Sequence, residues 1–197
     1  CSYNIPAVKA AELVGTSNLL ALLRRAGLTS LEKPADFYGL GLALGNGEVR
    51  LLDLTNAYAA LARGGHYKPL LVARQPQIRL PGRKGEVLTE QTAYLVTDIL
   101  ADNTARSAAF GLNSPLYTGF DFAAKTGTSK DYKDNFALGY TRRWTVGVWV
   151  GNFNASSMQR VSGITGAGPL LHDVAVYLQA HYPSPAFEVP AGLTRAS

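Results

Sequence analysis

Between residues 119 and 151 the chain alternates strand-like runs with short turns, and no other stretch limits the fold as much. Gly119 to Ala124 is a short apolar run that leads into Lys125-Thr126-Gly127-Thr128. Phe136 to Tyr140 then alternates with period two, Thr141-Arg142-Arg143 reads as a turn, and Trp144 to Gly151 returns. A hairpin packed against the Lys-Thr-Gly run makes a meandering antiparallel sheet. Helical patterns lie before and after it, so the predicted class is α+β, an antiparallel sheet with helices on both faces.

The flanking elements follow from local signals. Pro6 to Val14 reads as a helix ended near Gly15, with Pro6 in its first turn. Thr16 or Ser17 can cap a second helix with an apolar face of Leu19, Leu20, Leu22 and Leu23, ended by Gly27. Arg24 and Arg25 in its last turn read as a solvated helix end. Tyr38 to Gly45 is glycine-rich but lacks the Lys-Ser/Thr of a phosphate cradle, and it suits a tight bend over a core. Leu51 to Ala62 forms an amphipathic helix closed by Gly64-Gly65, with Asp53, Asn56 and Tyr58 as caps or satisfied core polars. Lys68 to Leu88 reads as two short strands about a Pro81-Gly82 turn, with Arg79, Arg83 and Lys84 on a solvated loop. Thr89 caps a helix from Glu90 to about Asp102, with Tyr94, Leu95, Ile99 and Leu100 facing inward, and Thr104 to Leu116 reads as a loop. Pro169 opens a last helix reaching about His181. Pro183, Pro185 and Pro190 then break regular structure, which divides the chain into a domain portion, 1–182, and a tail or linker toward a further module, 183–197.

Composition excludes several classes. A chain of 197 residues that is 47% hydrophobic buries a sizeable core. No run is long and apolar enough to span a bilayer, so any membrane anchor would have to lie outside it. The single cysteine, Cys1, excludes an internal disulfide framework. His66, His172 and His181 show no metal spacing, and His172 beside Asp173 reads as a packing or capping residue; neither metal nor cofactor is expected. The net charge of +5 suits anionic surroundings such as phospholipid and cell-wall polymer. Nucleic acid is not expected, because no Lys/Arg stripe is interleaved with aromatics.

Two short motifs carry chemistry. Lys125-Thr126-Gly127-Thr128 ends a strand with a cation, two hydroxyls, and a glycine beside which another backbone can lie; the next backbone N–H can face a developing oxyanion. Ser2-Tyr3-Asn4 presents a hydroxyl and a carboxamide on one loop before a helix. Ser-x-x-Lys, Ser-x-Asn and Lys-Thr-Gly occur together in serine β-lactamases and penicillin-binding proteins, and two of the three are present here. Ser2 to Lys9, Tyr38 to Gly65, Lys125 to Asn152 and Val161 to Val174 resemble the C-terminal portion of the transpeptidase domain of bifunctional (class A) penicillin-binding proteins.

The resemblance implies a serine β-lactamase/transpeptidase-like fold, incomplete because the nucleophile-bearing part lies upstream, and D,D-transpeptidation of peptidoglycan stem peptides through a serine acyl-enzyme. It implies Ser2 as a proton relay and Asn4 as a holder of the substrate amide. It makes Lys125 a source of positive potential, Thr126 and Thr128 carboxylate ligands, the Thr128 N–H half of an oxyanion hole, and Gly127 a residue that must stay small. Partners would be stem peptides, β-lactam antibiotics and the N-terminal remainder of the same polypeptide, at the periplasmic face of the bacterial inner membrane. The Ser30-Leu31-Glu32-Lys33 match to the nucleophile motif is read as a decoy, because Lys33 precedes Pro34 and is biased away from helix. By itself the chain is expected to be inactive. The alternatives are a non-catalytic domain of this fold that binds peptidoglycan or partner proteins and, third, a β-lactamase, for which no deacylating carboxylate can be placed.

Overall fold

A computed structural model describes residues 2–73, 78–79 and 84–194. The N-terminal third is helical: α1 (Asn4–Val14), α2 (Thr16–Arg25), α3 (Ala35–Tyr38) with a 3-10 turn over Gly39–Leu44, and α4 (Leu51–Ala62). Two small antiparallel pairs follow, β1 (His66–Tyr67) with β4 (Gly85–Glu86) and β2 (Leu71–Ala73) with β3 (Ile78–Arg79). The predicted Pro81-Gly82 turn, with Pro76, Arg83 and Cys1, lies outside the described residues. Next come α5 (Glu90–Ala101), α6 (Asn103–Phe110), β5 (Ala123–Thr128), β6 (Asp134–Tyr140), β7 (Thr145–Gly151) and α7 (Ala167–His181).

The order β5-β6-β7 is an antiparallel meander in unbroken register, with Lys125 opposite Leu138 and Leu138 opposite Gly147. Side chains alternate across it. On one face Ala124, Ala137 and Val148 meet Leu171 and Ala175 of α7 in one buried cluster with Leu116 and Phe122. On the other face a Cβ at Gly147 would strike Thr55 of α4, and the buried Tyr140 hydroxyl bonds Thr97 of α5 at 2.9 Å. Helices therefore cover both faces. A second cluster, Leu20, Leu28, Leu31, Tyr38 and Leu42, holds the N-terminal helices together.

Several elements differ from expectation for identifiable reasons. α1 begins at Asn4, two residues before Pro6. Arg24 is not a solvated helix end: its Nε and Nη2 donate to Leu31 O (2.7 Å) and Lys33 O (2.9 Å), fastening the 28–33 segment to α2. On α5 the buried positions are Ala93 and Thr97, whereas Leu95 and Ile99 are 50% and 66% exposed. Small side chains there let the helix lie close on β5, which turns the larger ones outward. The expected loop 104–116 holds α6, because the Asp102 carboxylate accepts from Ala105 N–H at 3.0 Å and restarts the helix. The described residues after α7, 182–194, form no helix or strand, and several of them bond to the β6–β7 turn and to Asp121. Trp144 Nε1 and Arg143 Nη1 donate to Tyr182 O and Pro183 O, Phe187 N–H donates to Asp121, and Arg142 pairs with Glu188.

Candidate active site

β5 is an edge strand, and its ladder decides which backbone groups are free. Ser129 N–H donates to Asp134 O at 2.9 Å, so hydrogen-bonded pairs recur at every second residue from there, at Gly127–Phe136 and Lys125–Leu138. The N–H and C=O of Thr126 and Thr128 therefore point away from β6, to the open edge. Among the described residues no strand pairs with that edge.

Lys125 stands beside it on the α4/α5 face. Its Nζ donates to Thr126 O at 2.5 Å and to Ser2 Oγ at 2.8 Å. Residues 123 positions apart thus meet at one point, which joins the Ser-x-Asn loop to the Lys-Thr-Gly strand. Asn4 is exposed on the first turn of α1, two residues beyond Ser2. Burial pulls the Lys125 ammonium below the usual lysine range, because the charged form loses part of its hydration.

The threonines are placed differently. Thr126 lies on the α7 face and is 8% exposed. Thr128 Oγ1 accepts a hydrogen bond from Gly163 N–H at 2.9 Å, so its hydroxyl already holds the loop before α7. A Cβ on Gly127 would meet only Phe136 Cβ at 3.8 Å, an ordinary contact. The fold therefore makes no demand for glycine at 127; any such demand comes from whatever lies along the edge.

Residues outside the two motifs hold the strand in place. The Ser129 hydroxyl accepts from Asp134 N–H at 2.8 Å and donates to its carboxylate at 3.1 Å, while Trp149 Nε1 binds the other carboxylate oxygen at 2.9 Å. This closes the turn immediately after Thr128. Asn135, fully buried, donates to Val161 O at 2.8 Å and anchors the returning loop under the strand. Arg106 on α6 is 7% exposed and donates to Leu100 O at 2.7 Å, with longer bonds to Leu116 O and Ala124 O next to Lys125. A buried arginine surrounded by carbonyls leaves no periodic mark in a sequence, and Gly163 touches β5 only through folding at long range. Ser30 donates to Glu48 O in a segment with no helix from Ser30 to Lys33, so these two side chains do not share a helical face.

Known proteins resemble this chain in sequence and in fold. The model of the penicillin binding protein transpeptidase domain matches residues 2–160. The chain belongs to this transpeptidase family. It is 32% identical over 175 residues to penicillin-binding protein 1C of Escherichia coli, covering 88% of this chain and 21% of that protein. It is 26% identical to penicillin-binding protein 2D of Bacillus subtilis, covering 98% of this chain and 29% of that one. The transpeptidase-family chain thus spans less than a third of the length of these relatives. The fold is shared with the penicillin-binding protein PonA1 of Mycobacterium tuberculosis, with TM-score 0.70, 21% identity and coverage of 93% of this chain and 57% of that one. PonA1 in complex with penicillin V matches with TM-score 0.61 and 24% identity, over 89% and 52% of the two chains. Among the described residues no helix is long and apolar enough to cross a membrane.

Proposed function

We propose that this chain is part of a peptidoglycan D,D-transpeptidase that works through a serine acyl-enzyme and binds β-lactams. The observation that carries the reading is the 2.8 Å bond from Lys125 Nζ to Ser2 Oγ beside the open edge of β5. In this reading the nucleophilic serine belongs to the part of the polypeptide before Ser2. It attacks the carbonyl of the penultimate D-Ala, the terminal D-Ala leaves as an amine, and the proton that amine needs reaches it through Ser2. The acyl group then passes to an amine of a neighbouring stem.

The chain's own residues divide the rest of the work. Lys125 supplies a fixed positive potential for the substrate's terminal carboxylate and for the oxygens that exchange protons around Ser2. Asn4 orients the substrate amide and the nucleophile's lysine. The Thr128 N–H, directed to the open edge by the ladder, stabilises the oxyanion. Thr126 and Thr128 line the carboxylate end, where the Thr128 hydroxyl can still donate while it accepts from Gly163. Gly127 leaves room for a peptide to lie antiparallel along the edge. The site faces the periplasm from the bacterial inner membrane, with the anchor in another segment of the polypeptide.

The experiment is covalent labelling with a fluorescent penicillin followed by a denaturing gel. The full-length polypeptide is expected to label and residues 1–197 alone are not. No labelling of the full-length polypeptide, with retained affinity for stem peptides, would establish the alternative, a non-catalytic domain of this fold. A pH series adds a second check. Burial lowers the Lys125 pKa, so its charge is lost as pH rises through a value below that of a free lysine, and acylation should fall on the alkaline side in that range. Lys125→Arg keeps its charge at any working pH and should carry the fall upward. An alkaline limb identical in the two proteins would assign it to another group.

A further inference from the structure

The fold leaves two polar side chains on α6 incomplete, and both line one cavity. Asn103 Nδ2 donates to Leu112 O at 2.9 Å, and because a carbonyl can only accept, the atom left over is the amide Oδ1. That oxygen is buried and has no hydrogen-bond partner among the described residues. Nearly one turn further on, Arg106 commits its two terminal nitrogens to the carbonyls of Leu100, Leu116 and Ala124, and its buried Nε–H has no partner either. Arg106 is 7% exposed and forms no ion pair among the described residues. Buried polar atoms are ordinarily paired, and these two are of opposite sense on one helix face, an acceptor and a donor. A single molecule that offers both an acceptor and a donor would complete them.

The cavity has a volume of about 220 Å³ and lies between the α5–α6 junction and residues 116–122, at the start of β5. That is more room than one water needs. Among its lining residues Arg106 is the only cation and Asp121 the only anion, while Leu116, Phe120 and Phe122 give an apolar wall. Asp121 is exposed; its Oδ2 accepts from Phe187 N–H at 3.1 Å, and its Oδ1 accepts no bond among the described residues. A simple anion drawn to Arg106 would be repelled by Asp121, and a simple cation would meet the reverse. A molecule that carries both charges satisfies the pair. We propose that this cavity binds a small free α-amino acid, with its carboxylate on Arg106 Nε–H and its ammonium shared between Asn103 Oδ1 and the Asp121 carboxylate. The ligand class rests on the geometry alone. That D-alanine is the amino acid it meets rests on the transpeptidase reading, in which each acylation releases one.

The test uses the full-length polypeptide after complete acylation by penicillin, which closes the β5 edge to other ligands. NMR titrations measure the binding of D-alanine, propionate and ethylamine. D-alanine is expected to bind with a dissociation constant on the order of 1 mM. Propionate lacks the ammonium and ethylamine lacks the carboxylate, so each binds at least about tenfold more weakly, the size of one charge-assisted hydrogen bond. Asp121→Asn keeps an acceptor for Phe187 N–H and leaves penicillin acylation unchanged. It weakens D-alanine about tenfold, whereas propionate, freed of repulsion, binds no more weakly than before. Arg106→Lys removes the Nε–H and weakens both D-alanine and propionate; should it fail to fold, Asp121→Asn and the ligand series decide. No binding of D-alanine, propionate or ethylamine binding as tightly as D-alanine, or an undiminished affinity in Asp121→Asn would each overturn the site. Any of these results on a polypeptide that labels normally leaves the transpeptidase reading standing. Absence of labelling sinks that reading, and the same titrations on the unlabelled polypeptide still decide the site.

Discussion

Lys125→Ala in the full-length polypeptide lowers the rate of acylation by labelled penicillin by about 10²–10³-fold, the usual effect of removing one preorganised electrostatic group from such a site. The same substitution leaves the fold intact. Lys125 is half-buried, and its pKa is depressed by that burial, so wherever the amine is charged the native state holds an ammonium in a place that disfavours it. The sign follows from linkage. A base with a lowered folded-state pKa gives the folded state full relative stability only above the unfolded value, and that stability is lost as pH falls through the folded value. Below both values, removing the amine removes the penalty along with two hydrogen bonds, one of them to the exposed Ser2. Thermal unfolding should therefore change little while acylation collapses. Wild-type acylation in the alanine variant would take Lys125 out of the site.

How far the sequence announced this arrangement can be argued element by element. The β6–β7 hairpin was legible because alternation and a polar turn are local properties, and the observed turn, with Thr141 N–H bonded to Trp144 O, lies where the pattern put it. α4 matches its expected limits, from Leu51 to Ala62, because an amphipathic run followed by Gly64-Gly65 marks both ends. α6 was not legible. Its cap, Asp102, falls within what reads as the end of α5, so two helices share one boundary residue. Nor could hydropathy reveal that α5 turns Ala93 and Thr97 inward, since that choice depends on how closely β5 approaches and on a hydroxyl partner at Tyr140. Ser2 and Lys125 were separately legible as residue types suited to the chemistry. Their contact was not, because nothing local connects positions so far apart in the chain.

The support behind the Lys-Thr-Gly strand gives the second large effect. Gly163→Ala should destabilise the domain by about 2–3 kcal/mol, as overpacking against a rigid neighbour does, and reduce penicillin acylation at temperatures where the variant is still folded. The added methyl would lie 2.5 Å from Gly127 O and 2.9 Å from Phe136 O, which are backbone atoms of two paired strands and cannot swing aside as a side-chain tip would. Relief requires that β5 move or that the loop withdraw, and withdrawal breaks the bond from Gly163 N–H to Thr128 Oγ1. Either motion displaces the edge where the Thr128 N–H is aimed. Gly127→Ala is the contrasting variant: its methyl finds only an ordinary contact with Phe136, so the melting temperature should stay near that of the wild type. For Gly163→Ala a Tm lower by roughly 5–10 °C is expected for a domain of this size. If both variants melt with the wild type and acylate at its rate, the loop does not brace the strand and Gly127 faces no substrate. If Gly127→Ala alone loses acylation while melting normally, the glycine is required by what binds along the edge and not by the fold.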